Sequence, residues 1–380
     1  VPNDDVSQEL RIPSVRVAPN AQQVLKNLGP LAELAGTWRG QGFNLVARPD
    51  FEQQANLFLE LNLTDETLKF DPIATAVPNR GFGQKDAELF GLTYLQKISD
   101  RTTGGALHIE PGIWISMPST TDPSLPASVF RLGTIPHGNA LLAEGAASSF
   151  TGPPVLGPGS ATDGANPAFS LFPSFNTTPF AVSTPSVPPP PTPIAPVIFA
   201  GSSSELLSAP AAAHGGFSQY TLANPASPAN PRTPLGNTPA VLPPEITQTL
   251  LNDPITLLQN DILRLVEEGH SFSGTALNIA TSTPILFATR PNQAEPNEPV
   301  SVPAGGGDIG NIPFLQKNAT SALTYATFWI TEVTHPTRRP FQMLQYAQMV
   351  LLNFPALKIP SSPLFSWPHV SVATLRKTFG

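Results

Sequence analysis

Pro368-His369-Val370-Ser371-Val372-Ala373-Thr374-Leu375-Arg376-Lys377-Thr378-Phe379 is the stretch whose reading decides the fold. It reads as an alternating strand that opens on a histidine, just after Trp367 and Pro368. Near the other end, Gly36-Thr37-Trp38-Arg39-Gly40-Gln41-Gly42 reads as a strand entered from a helix. Its glycines mark a close backbone approach or a bend, and Trp38 is placed to plug the bottom of a barrel. The first and last strands of such a barrel pair with each other, so these two stretches are expected side by side.

Between them the pattern is one of short strands. They are expected over Phe51 to Leu63, Leu89 to Ile98, Ala106 to Ser116, Ser128 to Leu132 and Ala140 to Gly145. Strands resume over His270 to Thr281, Ile285 to Thr289, Leu323 to Val333 and Phe341 to Phe354. Turn clusters such as Pro78-Asn79-Arg80-Gly81 and Pro136-His137-Gly138-Asn139 separate them, which points to an antiparallel sheet or barrel rather than βαβ units. A helix is expected from Ala21 to about Leu34, kinked or broken at Pro30 and ended by Gly36. A second is expected after Asn252-Asp253-Pro254, with Ile255, Leu258, Ile262, Leu265 and Val266 on one face and Gly269 as its stop.

The expected organisation is an extended arm over 1–20, a first part of the barrel over 21–150, a Pro-rich extended insertion over 151–243, a helical segment over 244–269 and the rest of the barrel over 270–380. Residues 151–240 hold 19 prolines and three charged residues, Asp163, Glu205 and Arg232. A flexible linker is one reading. Phenylalanines such as Phe169, Phe172 and Phe199 favour the other, an arm packed on its own barrel or on a neighbouring subunit.

Composition excludes several classes of function. Lys+Arg is 20 against Asp+Glu 27, a net charge of −7, which leaves no electrostatic footprint for nucleic acid. Cysteine is absent, so disulfides, thiolate catalysis and iron–sulfur clusters are excluded. No run of about 18 apolar residues occurs, so a soluble chain with no spanning helix is expected, its compartment open. No Gly-x-Ser-x-Gly elbow is present, and neither glycine-rich stretch continues into a phosphate loop.

On a strand, His108 and Glu110 share one face. They could form an acid–base pair or half a metal site, or a buried hydrogen-bonded pair inside a barrel. His137, His214, His270 and His335 sit beside Gly or Pro, or at strand ends, and are expected to be solvated.

Four blocks stand in a telling order: Gly36-x-Trp38-x-Gly40-x-Gly42, Leu107-His108-x-Glu110-x-Gly112-x-Trp114, Leu344-x-Tyr346-x-x-Met349, and Pro368-His369-x-x-x-Ala373-x-Leu375-Arg376. In that order they resemble the nitrobindins, small haem-binding β-barrels similar to fatty-acid-binding proteins. The resemblance covers roughly residues 30–150 and 320–380. It implies a mainly β fold, an antiparallel up-and-down β-barrel of about ten strands, calycin-like, here with large insertions. It implies haem b held by His369 as the metal ligand, with Thr37, Trp38, Tyr346 and Met349 near the pocket. It also implies that small ligands such as nitric oxide, peroxynitrite or a peroxide bind or are converted at ferric iron, as in a peroxynitrite isomerase or a peroxidase-like enzyme. Two alternatives stay open: a non-enzymatic carrier of an apolar small molecule, and a structural barrel that forms a homo-oligomer through residues 151–240.

Overall fold

The computed structural model describes residues 21–51, 55–154, 156, 231–232, 242–247, 250, 254–281, 308–355 and 364–378. Ten strands form one closed barrel. They are β1 (Gly36–Asp50), β2 (Ala55–Pro72), β3 (Ala87–Asp100), β4 (Ala106–Met117), β5 (Ser128–Ile135), β6 (Asn139–Thr151), β7 (Ser271–Ala280), β8 (Thr320–Thr334), β9 (Phe341–Pro355) and β10 (Leu364–Thr378). Each pairs antiparallel with its neighbours in sequence. The closing strand β10 pairs with β1, from Thr37 opposite Thr378 to Val46 opposite His369. The up-and-down, calycin-like barrel is therefore the architecture, and its first and last strands meet as the sequence predicts.

Closure depends on the glycines of β1. A Cβ at Gly40 would collide with the backbone of Thr374, and one at Gly42 with the carbonyl of Val372. The missing side chains let β10 lie close against β1. The predicted approach of another backbone is thus real, and β10 is what approaches.

One end of the barrel is sealed. Helix α1 (Ala21–Leu28) runs into a 3₁₀ turn over Gly29–Leu34, broken as expected around Pro30, with Gly29 at φ 55°. Leu28, Leu31 and Leu34 of this segment are fully buried against Trp38, whose indole N–H donates to the carbonyl of Leu34 at 2.7 Å. Trp38 plugs the bottom.

Strand β7 is interrupted. Ala280 lies opposite Glu144, and the chain re-enters with Asp308 opposite Leu142, pairing with β6 as far as Asn311. Asp308 so takes up the register that a continuous β7 would give to residue 282. The expected strand over Ile285 to Thr289 lies outside the described residues, as do the arm over 1–20 and nearly all of the Pro-rich segment. Helix α2 (Ile255–Glu267) lies on the outside of the barrel, burying Ile255, Leu258, Ile262 and Leu265. Gln345, on the outer face of β9, donates to the carbonyl of Leu258 at 3.2 Å. Pro254 itself occupies the N-cap of this helix, without a side-chain cap, where the sequence suggested a preceding Asn or Asp.

Candidate functional site

Strand alternation sorts the interior into three levels. Lowest is the apolar plug, where Trp38, Leu344 and Leu375 are 0% exposed and Trp114 meets Phe328 edge to face at 5.2 Å.

Above it lies a buried polar layer. Arg131 on β5 donates from Nη2 to Glu110 Oε1 at 2.8 Å and from Nε to the Tyr94 hydroxyl at 3.1 Å. Its Nη1 donates to Gln348 Oε1 at 2.6 Å. Tyr94 also donates to Glu110, and the second oxygen of Glu110 lies 3.2 Å from His108 Nε2. Burial raises the pKa of Glu110, but the guanidinium and the two hydrogen bonds outweigh it and hold the carboxyl at about 2. The His108–Glu110 pair is therefore a buried, hydrogen-bonded element of the barrel. Among the described residues no group of three or more His, Cys, Asp or Glu is placed to hold a metal ion.

The same layer contains a second carboxyl. Glu66 accepts from the Tyr346 hydroxyl at 2.5 Å and from Thr64 Oγ1 at 2.8 Å, and Gln96 donates to the Tyr346 oxygen at 3.1 Å. These hydroxyl and amide partners are neutral. Burial accordingly pushes its pKa up to about 7, against the hydrogen bonds from Tyr346, Thr64 and Gln96 and the influence of His108.

Beyond the layer several of the described inward-facing side chains are less deeply buried. The inward-facing Asn44, Val46, Gln348, Val350, Leu352 and His369 all keep part of their surface accessible, unlike the sealed end. The lining of this chamber is mixed: Val46, Val350 and Leu352 stand beside the polar Asn44, Asn62 and Gln348, and beside Glu60, which lies opposite Val46 and pairs with Arg48 at 2.9 Å. His369 enters the chamber from β10, level with Val46 on one side and Val350 on the other. Burial, followed by His108 and His137, holds the His369 imidazole down at about 3, so it is neutral at ordinary pH. Asn44 Nδ2 donates to His369 Nε2 at 2.9 Å and to Ser371 Oγ at 3.0 Å.

The rim has a local opening. The β4–β5 ladder stops at Gly112 opposite Gly133, because Pro111 carries no N–H to continue it. His108 and His137 flank this gap, their ring centroids 6.0 Å apart. A groove of about 840 Å³ spans the outward-facing Arg39, Thr67, Lys97 and Ile109 of neighbouring strands and reaches His137. Glu66, Ile98 and His108 also line it, whereas His369, Tyr346 and Arg131 do not, so it meets the polar layer beside Glu66 and not the chamber at His369.

The expected site residues do not gather round His369. Trp38 lies eight positions along β1 from Val46, His369's cross-strand partner, or roughly 25 Å at the rise of a strand. Thr37 is at the same sealed end and on the outer face. Met349 is buried but, opposite in parity to Tyr346, faces outward. Tyr346 points inward, and its hydroxyl is engaged in the polar layer. Among the histidines expected to be solvated, His137 is exposed, whereas His270 and His335 are partly buried with their rings 4.9 Å apart. His214 lies outside the described residues. Sequence reasoning missed Asn44, Glu66, Gln96 and Arg131. The available signal was parity: Asn44 continues the inward series of Trp38, Gly40 and Gly42, and Arg131 falls between Val129 and Gly133.

No protein-family model matches the sequence, and no curated protein does. Among solved structures the chain is similar to that of Rv2717c from M. tuberculosis, at 12% identity and a TM-score of 0.30, over 94% of this chain and 98% of that one. A score this low carries no argument, and the barrel stands on its own ladders. Among the described residues no helix is long and apolar enough to cross a membrane.

Proposed function

We propose that the barrel binds haem b in the chamber, with Nε2 of His369 as the ligand from the protein to iron. One observation carries the reading: His369 is a neutral imidazole, enclosed by the barrel yet still accessible, beside the apolar Val46, Val350 and Leu352. A neutral imidazole has the lone pair that axial ligation needs, and Val46, Val350 and Leu352 offer apolar contact to a porphyrin, beside the polar Asn44, Asn62, Glu60 and Gln348. The residues therefore fit the group. Ferric haem held there would supply an open coordination position for nitric oxide, peroxynitrite or a peroxide. The chain contributes the ligand, apolar contacts from Val46, Val350 and Leu352, and a floor whose Arg131–Glu110 pair is already satisfied and so leaves the ligand's orientation to His369.

Titration of hemin into the purified protein tests the proposal. A Soret band that saturates at about one haem per chain and is lost in His369→Ala is expected; no uptake by the wild type contradicts it. The same three apolar side chains favour a second reading, a carrier of an apolar small molecule. Organic extraction and mass spectrometry of the purified protein would then yield a stoichiometric lipid-like compound. The assembly reading rests on residues 151–240, which lie almost wholly outside the described residues.

A further inference from the structure

Asn44 stands directly opposite Ser371 in the β1–β10 ladder, one step from the pair Val46 and His369 on the inward face. Its amide nitrogen has two hydrogens and no lone pair to offer. Both are used, one on Ser371 Oγ and one on His369 Nε2. Nε2 therefore accepts, and the proton of the neutral ring sits on Nδ1.

An electron pair cannot serve an amide hydrogen and a metal centre together. From this geometry we infer that Asn44 controls ligation at His369: it presets the Nδ1–H tautomer and competes for the Nε2 lone pair that any ligating metal centre must take. Asn44 is thus a positioning and selecting residue. It keeps the ring in the one tautomer whose Nε2 can ligate. It also sets a threshold, since a centre that binds imidazole weakly does not displace the amide and a strongly coordinating iron does. The inference rests on the haem reading for its consequence, but the tautomer and the competition are properties of the protein alone.

The two roles predict opposite effects for two variants. Asn44→Ala removes the competitor, and hemin should bind more tightly by about fivefold, the scale of one modest hydrogen bond. Asn44→Asp replaces the donor with an acceptor, which holds the proton on Nε2, and hemin should bind more weakly than in the wild type. The protein without hemin gives an independent readout. ¹⁵N NMR of His369 should show Nδ1 protonated in the wild type, a mixed tautomer in Asn44→Ala and Nε2 protonated in Asn44→Asp. Identical His369 nitrogen shifts in all three proteins would overturn the inference, as would equal or weaker hemin binding by Asn44→Ala. If the wild type takes up no hemin while the three tautomers differ as stated, the haem reading falls and the assignment of Asn44 stands.

Discussion

Glu66 and Glu110 lie in the same buried layer and have opposite electrostatic fates. Arg131 balances Glu110, whereas Glu66 has hydroxyl and amide partners and keeps its proton to about 7. In the unfolded chain Glu66 would titrate at its ordinary 4.5, so its contribution to stability is present in full below that pH and is lost as pH rises through 7. Glu66→Gln cannot ionise. The stability of the variant relative to the wild type, from urea melts, should rise by about 3 kcal/mol between pH 4 and pH 8. A difference that does not change with pH would show that Glu66 is not held protonated. Glu110 titrates the other way, its stabilisation present above 4.5 and lost as pH falls towards 2. Its pairing gives a second prediction: Arg131→Met should cost about 3–5 kcal/mol by leaving a buried carboxylate uncompensated. Adding Glu110→Leu should recover most of that loss, and additive penalties would contradict the pairing.

The strands show why some of the barrel was legible in sequence and some was not. Ala106–Met117 and the closing strand could be placed because their apolar residues recur where a half-buried strand needs them. Strand β2 was expected to end at Leu63 and runs on to Pro72. Asn62, Thr64, Asp65 and Glu66 break its hydrophobic period and resemble a turn, yet Asn62, Thr64 and Glu66 point inward and are buried. The same feature hid the polar layer. A polar side chain in the core is paired across the barrel, by Tyr346 for Glu66 and Gln348 for Arg131, and neither partner is near in sequence. The end plug was legible, since Trp38 comes two residues after Gly36, which ends a helical segment already broken at Pro30. Trp38→Ala should cost about 3–5 kcal/mol in urea unfolding by emptying the seal. Gly40→Ala should be destabilising by up to about 3 kcal/mol, because its methyl meets the β10 backbone rather than a movable side chain. A near-neutral Gly40→Ala would mean that β10 does not lie as close to β1 as described.

At the scale of the whole molecule, the barrel is closed at one end and crossed by a polar layer, beyond which described inward-facing residues such as Val46, Val350 and His369 are partly exposed, and the described helix of its insertion packs outside. Helix α2 covers the outer wall of β9 and β10, so the added chain there does not take up the interior space next to His369. His369 was legible as part of an alternating strand, although β10 begins five residues before it, at Leu364. The company it keeps was not, because Asn44 and Val350 reach it through cross-strand register, which no local pattern reports. The proposal is that this end of the barrel holds a ligand whose iron would be bound by the His369 imidazole. His369→Gly with and without free imidazole tests it most directly, because the deletion leaves an imidazole-sized space in a chamber that solvent reaches. After hemin addition, the Soret band should be absent in His369→Gly and return when imidazole is supplied. A band of equal strength in His369→Gly without imidazole, or no recovery with it, would contradict the account.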